Sequence, residues 1–493
     1  MSGGAERETT TMTMATSGSS TGPAGRALPE DYRRHLRHAE EQVRDLLLPA
    51  LATVPAFRRP ADEYTFDVKY YGGDRVEPGR ALERAAADVE AADAVHLYLH
   101  FPLCPYVCRF CHYHVRATTG GAREHALLVE DLHTCAAIVA GQLRGVGAKR
   151  VSSIYLGGGT PSLLRSEELA ELLRGMRARF PCGEVEEVTV ETTPDTVTKE
   201  WLEAARALGV TRVSSGVQIL DDEVLAFMGR RHSAADVRRL LESCRAVPDL
   251  TVNLDLIAGL PQVSEETWLL TLHALVEKAP TSITIYRLRL GRSDERESSL
   301  ARLYEKNPEL FPSPERVAVQ MLVARRVLLA HGYQEGPLGW FWRGGGQPKC
   351  YRDRWLLQRP LLGMGESAYS YGDGWQVINA KGMPFKAALQ ARSWPAAVAT
   401  LLAPGEVRLR SLAWRLRATG EVPAGWADRW PELRAPLALL EQWGLVERPR
   451  EAGHRLTETG ILLIDEIVRC VLHLRSWDRG SGARNRQVAA SPA

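Results

Sequence analysis

The chain has 493 residues, of which 45% are hydrophobic and 25% charged, the balance of an ordinary globular protein with room for one large domain and a smaller one. Lys and Arg total 62 against 60 Asp and Glu, a net charge of +2, so no charge imbalance points to nucleic acid or an anionic membrane surface. No apolar run approaches the ~18 residues that a membrane helix needs.

Residues 1–25 are rich in Ser, Thr and Gly and lack a basic segment followed by an apolar one. They read as a disordered leader rather than a secretory signal, with Met12 and Met14 as alternative starts. An N-terminal extension over 26–90 follows, with a helical run from Leu28 to Leu51 and a polar, aromatic stretch from Tyr64 to Tyr71. From Val95 the pattern becomes short apolar strands alternating with amphipathic helices. The strands are Val95–Leu99, Ser152–Leu156, Glu187–Glu191, Arg212–Val217, Thr251–Leu256 and Ser282–Leu288. Helices are expected over Ser166–Arg179, Lys199–Leu208 and Ala234–Ala246, with Thr198 and Ser233 as N-caps. This alternation predicts α/β architecture, a partial (β/α)6 TIM-like barrel over 91–300, with functional groups at the carboxyl ends of its strands.

A region over 301–400 carries the Gly- and Trp-rich sequence Gly339 to Gly346. Residues 401–475 read as a C-terminal helical, winged-helix-like domain, in which no basic recognition helix stands out. The tail over 476–493 is polar and expected to be disordered.

Eight cysteines in a chain this long are no disulfide scaffold, and a reducing cytoplasm is the expected compartment. Cys135, Cys182, Cys244, Cys350 and Cys470 are scattered and read as small buried hydrophobes. Cys104, Cys108 and Cys111 are different: the first predicted strand runs directly into them, spaced C-x3-C-x2-C. Three thiolates in one loop can bind three irons of a cubane and leave the fourth open to a substrate. The competing assignment is structural zinc, with His112 or His114 completing four ligands.

The motif, including Phe110 before the third cysteine, resembles that of the radical S-adenosylmethionine superfamily. The stretch from Tyr98 to Cys111 resembles the HemN-like branch, founded on oxygen-independent coproporphyrinogen III oxidases. Further matches are Gly157-Gly158-Gly159-Thr160-Pro161, Glu191 ending the third strand, Gln218 ending the fourth, Arg230, and Asp255 in the fifth. Leu362 to Tyr371 and Leu456 to Gly460 resemble later segments of the same branch, so the likeness runs from Tyr64 to Leu474.

The resemblance implies a [4Fe–4S] cluster on Cys104, Cys108 and Cys111. It implies S-adenosylmethionine bound by Tyr98, Phe110, Gly157, Gly158, Gly159, Thr160, Glu191, Gln218, Arg230 and Asp255. Arg230 would meet the methionine carboxylate. The implied reaction is one-electron cleavage to a 5′-deoxyadenosyl radical, fed by a flavodoxin- or ferredoxin-type reductant. Coproporphyrinogen-oxidising members carry a cysteine two places past the third ligand, where this chain has Tyr113. The expected reaction is therefore methyl or methylene transfer to an sp2 carbon of a natural product, with a second S-adenosylmethionine as donor. The alternatives are coproporphyrinogen oxidation and haem trafficking. His112, Tyr113, His114 and Cys350 are candidate acids, bases or radical quenchers, and Trp340, Trp342 and Trp355 a candidate platform for a planar aromatic substrate.

Overall fold

A computed structural model describes residues 28–53, 73–143, 145–180, 185–290, 298–336, 338–350, 356, 358–449, 453–468 and 471. The leader, the Tyr64–Tyr71 stretch, Cys182, Trp355, Cys470 and the tail lie outside the described residues.

All six predicted strands form: β1 (Ala94–Phe101), β2 (Arg150–Gly158), β3 (Glu187–Thr192), β4 (Arg212–Gln218) and β5 (Thr251–Ala258), each slightly longer than expected, and β6 (Ser282–Arg287), which ends one residue earlier than expected. They pair in parallel in chain order. Their residues are buried almost without interruption, although in β3, β5 and β6 apolar side chains alternate with polar ones, among which Thr189, Asn253, Ser282 and Thr284 are buried. The crossovers form as the periodicity predicts, over Ser166–Arg179, Lys199–Ala207 and Ala234–Arg245. The Thr198 hydroxyl accepts from the Trp201 N–H and that of Ser233 from the Asp236 N–H, so both caps act as expected.

Among the described residues, β1 and β6 do not pair with each other. The β6 edge is covered by β7 (Trp340–Trp342), antiparallel to it. The β1 edge is covered by β8 (Leu361–Met364), which lies parallel to β1. Beyond β8 the sheet continues antiparallel through β9 (Tyr369–Gly372), β10 (Trp375–Asn379) and β11 (Ala396–Leu401), reaching 13 strands among the described residues. The fold is thus α/β, as expected: six parallel strands in chain order, their sheet extended at both edges by further strands.

The N-terminal run is helical from Glu30 to Thr53, with a π-helical turn over Val43–Leu47, and packs on the helix Pro314–Ala330. Near the C-terminus, Glu421–Val422, His454–Leu456 and Val446–Glu447 form a three-stranded antiparallel sheet beside the helices Pro404–Thr419 and Arg434–Gln442. Cys135, Cys244 and Cys350 are buried, as small hydrophobes would be.

Candidate radical-generating site

The cysteine loop leaves β1 and is fixed by backbone bonds to the glycine-rich end of β2. The Gly159 N–H donates to the Phe101 carbonyl at 2.7 Å, and the Thr160 N–H to the Leu103 carbonyl at 2.7 Å. Gly158 has φ +107°, and a Cβ there would lie 2.4 Å from the His100 ring, so only glycine fits that turn. Farther along the loop, the Arg109 N–H donates to the Met228 carbonyl at 3.0 Å, tying the cysteines to the segment that carries Arg230.

Cys104, Cys108 and Cys111 all line one open cavity at the carboxyl ends of the strands. Thr160 Oγ1 donates to Cys104 Sγ at 3.5 Å and Arg230 Nη1 to Cys108 Sγ at 3.4 Å. Burial pushes the Cys104 thiol up to about 11, so the charged ligand form depends on metal coordination. Among the described residues, no three His, Cys, Asp or Glu side chains converge closely enough to share a single ion. A cubane makes a different demand, one thiolate on each of three irons, and the exclusively sulfur donor set fits it.

The carboxylates face the same cavity from β3 and β5. Glu191 Oε1 accepts from the Tyr155 hydroxyl at 2.7 Å and Oε2 from the Gly158 N–H at 2.8 Å. Burial nevertheless pushes its carboxyl up to about 7, the two hydrogen bonds opposing that rise. Asp255 accepts from Ser214 Oγ at 3.1 Å and Asn253 Nδ2 at 2.8 Å, and burial pushes it up to about 6. Gln218 sits at a bulge in β4 with φ +68°, which turns its side chain into the cavity. Arg230 donates to the Gly216 carbonyl, so its guanidinium is buried between that strand and the cysteine loop.

Thus Phe110, His112, Tyr113, Gly158, Gly159, Thr160, Glu191, Gln218, Arg230 and Asp255 share the cavity with the cysteines. Gly157, Tyr98, His114, Trp340, Trp342 and Cys350 do not line it. Gly157 stands behind Glu191, where a Cβ would lie 2.7 Å from the carboxyl carbon. Tyr98 donates its hydroxyl to His100 Nδ1 at 2.7 Å, which places it behind the glycine loop. His114 pairs with Glu366 at 2.9 Å instead of facing the cavity, because that carboxylate from the β8–β9 turn supplies the partner that a half-buried imidazole needs. Trp340 and Trp342 lie in β7 and not in this cavity, their bulk covering the β6 edge. Cys350 is buried, with its N–H on Glu187 at 3.3 Å, away from the site.

Sequence reasoning missed Tyr106, Thr192, Ser214 and the run Tyr286–Arg289, which complete the wall. Their signal was position: Thr192 follows Glu191, and Tyr286 and Arg287 end the sixth strand, where this architecture puts its chemistry.

Residues 98–275 match the model of the Radical SAM superfamily. The chain is 29% identical over 438 residues to a Bos taurus protein named radical S-adenosyl methionine domain-containing protein 1, mitochondrial, covering 85% of this chain and 88% of that one. It is 30% identical over 242 residues to the heme chaperone HemW of Escherichia coli, covering 48% of this chain and 60% of that relative. In structure it resembles coproporphyrinogen III oxidase (HemN) from Escherichia coli with a TM-score of 0.69 at 23% identity, over 79% of this chain and 93% of that one, a likeness of fold. Residues 98–275 are thus similar to the Radical SAM superfamily, and the relatives that match the chain by sequence include proteins named heme chaperone HemW.

Proposed function

We propose that the chain holds a [4Fe–4S] cluster on Cys104, Cys108 and Cys111, binds S-adenosylmethionine in the adjoining cavity, and promotes its reductive cleavage. The observation that carries this reading is the meeting, in one cavity, of three thiols with Glu191, Gln218, Arg230 and Asp255 from successive strand ends. When bound, the pair would supply one-electron chemistry that no side chain offers, ending in a 5′-deoxyadenosyl radical. The protein's part is positioning. Arg230 offers fixed cationic N–H groups to a carboxylate, Glu191 a carboxylate for an ammonium group, and Asp255 with Gln218 polar atoms for ribose hydroxyls. Phe110, Ile257 and Leu288 add apolar wall to the same cavity. A flavodoxin- or ferredoxin-type protein is the proposed electron source.

For the second ligand, haem handling is better supported than methyl or methylene transfer. Relatives named heme chaperone HemW match the chain by sequence. Alkyl transfer rests on Tyr113 alone, and a second S-adenosylmethionine has no further support.

Anaerobic reconstitution with iron and sulfide, followed by reduction with dithionite and S-adenosylmethionine, tests the first reading: 5′-deoxyadenosine should appear, and Cys108→Ala should abolish it. Release that survives Cys108→Ala would sink the cluster assignment. Titration with haem then separates the second-ligand readings, since stoichiometric binding supports haem handling. Incorporation of label from methyl-labelled cofactor, without haem binding, would favour alkyl transfer.

A further inference from the structure

Arg230 is held along two adjacent edges of its guanidinium. Nη2 donates to the Gly216 carbonyl, and Nε donates to His232 Nδ1 at 3.3 Å. The far side of that imidazole meets the Val217 carbonyl, 3.2 Å from Nε2. A carbonyl only accepts, so Nε2 carries the hydrogen and Nδ1 is left with the lone pair that the Arg230 Nε–H needs. His232 is 2% exposed. Burial, together with the charge of Arg230, pushes its imidazole down to about 4, which keeps it neutral.

One hydrogen bond to Gly216 would leave the guanidinium plane free to swing about that contact; a second on the neighbouring edge fixes it. Both anchors are referenced to the same strand end, since Gly216 and Val217 are consecutive in β4, beside the bulge that presents Gln218. With two edges occupied, Nη1 is turned to Cys108 Sγ, 3.4 Å away.

We propose that His232 is a positioning residue, whose neutral imidazole locks Arg230 so that its remaining N–H groups face Cys108 and the carboxylate of the bound cofactor. This rests on the cofactor reading above. It assigns to His232 an indirect part, exerted wholly through Arg230.

Two amide substitutions separate that role from simple core filling. His232→Asn places an oxygen near the position of Nδ1 and keeps an acceptor for Arg230 while losing the Val217 bond. His232→Gln reaches the position of Nε2 and keeps the donor to Val217 while losing the acceptor. Each variant is reconstituted anaerobically, and S-adenosylmethionine affinity is measured by equilibrium dialysis beside iron content and thermal midpoint. The expected result is a loss of about tenfold in affinity for His232→Gln with iron content unchanged, and retention within about threefold for His232→Asn. The signal of the reduced cluster should still respond to the cofactor in the Asn variant, and respond less in the Gln variant at the same cofactor concentration. Equal affinity in both variants, or losses that follow the thermal midpoint instead of the Arg230 contact, would overturn the proposal alone. Failure of the unsubstituted, cluster-loaded protein to bind S-adenosylmethionine would overturn the cofactor reading and this proposal with it.

Discussion

The Tyr155 hydroxyl on β2 donates to Glu191 Oε1 on β3 at 2.7 Å, across a register that sets Tyr155 opposite Thr189. It therefore offsets part of the desolvation that lifts the Glu191 carboxyl to about 7. In the proposed site Glu191 faces an ammonium group, which only the ionised carboxylate attracts. Affinity for S-adenosylmethionine is accordingly expected to rise about tenfold between pH 6 and pH 8, following the ionised fraction of one group. Tyr155→Phe removes a bond to the charged form and should move that midpoint upward. Binding isotherms that superimpose across this pH range would refute the assignment.

The same shift has a consequence for stability with the opposite sign to that of an ion-paired carboxylate. The folded value near 7 lies above the ordinary 4.5, so folding favours the protonated form. That contribution is complete below about pH 4.5 and is lost as the pH rises through 7. Glu191→Gln, which keeps an acceptor for the Gly158 N–H, is expected to stabilise the cofactor-free protein at pH 8 by on the order of 2 kcal/mol and to leave it unchanged near pH 4.5. Denaturant unfolding at the two pH values checks this; an equal effect at both would point to packing instead.

The glycine-rich loop gives a third expectation. A Cβ on Gly159 would lie 2.4 Å from the Leu103 carbonyl oxygen and 2.7 Å from that of Phe101, both backbone atoms of the cysteine loop. No rotamer change relieves such a contact, so the Gly159–Phe101 bond must open. Gly159→Ala should cost about 2 kcal/mol of stability and lower the iron retained after reconstitution, although it removes no ligand. Full iron loading in this variant would mean that the two loops are not coupled.

How far the sequence showed these relationships depends on what kind of signal each leaves. The parallel strands were legible because their signal is local: short stretches carrying Val, Ile and Leu recur between amphipathic helices, with Glu191, Gln218 and Asp255 at or near their carboxyl ends. The cysteine spacing is local and was legible for the same reason. Partners drawn from distant segments leave no such trace. The bond from Arg230 to His232 spans two residues, yet it depends on a bulge at Gly216–Gln218 that no periodicity marks. Nor does anything near Leu361 show that β8 will lie beside β1. The Trp, Val and Ile in Trp375–Asn379 could have marked β10 as a strand, but its partners could not have been named.

His114 shows what that limitation costs and supplies the last prediction. Adjacent to Tyr113 and three residues past Cys111, it looked like a cavity residue by position alone. Its Nε2 instead lies 2.9 Å from Glu366 Oε2, and its carbonyl lies 3.1 Å from His100 Nε2. That carbonyl can only accept, so His100 carries hydrogen on Nε2 and takes the Tyr98 hydroxyl bond on Nδ1. Tyr98, His100 and His114 thus form a brace behind the glycine loop, closed at its end by Glu366, whose carboxyl the bond from His114 holds below its ordinary range. Neither His114 nor Glu366 lines the cavity. His114→Ala removes one partner of the buried Glu366 carboxylate, which keeps Arg116 at 3.7 Å, and should cost about 1 kcal/mol in stability, while 5′-deoxyadenosine formed per cluster stays within about twofold. Tyr113, 42% exposed and stacked on His112 with ring centroids 4.6 Å apart, does line the cavity. Tyr113→Ala should therefore leave stability nearly unchanged and alter how the second ligand binds. Rate loss in the His114 variant at constant cluster content would return that residue to the chemistry.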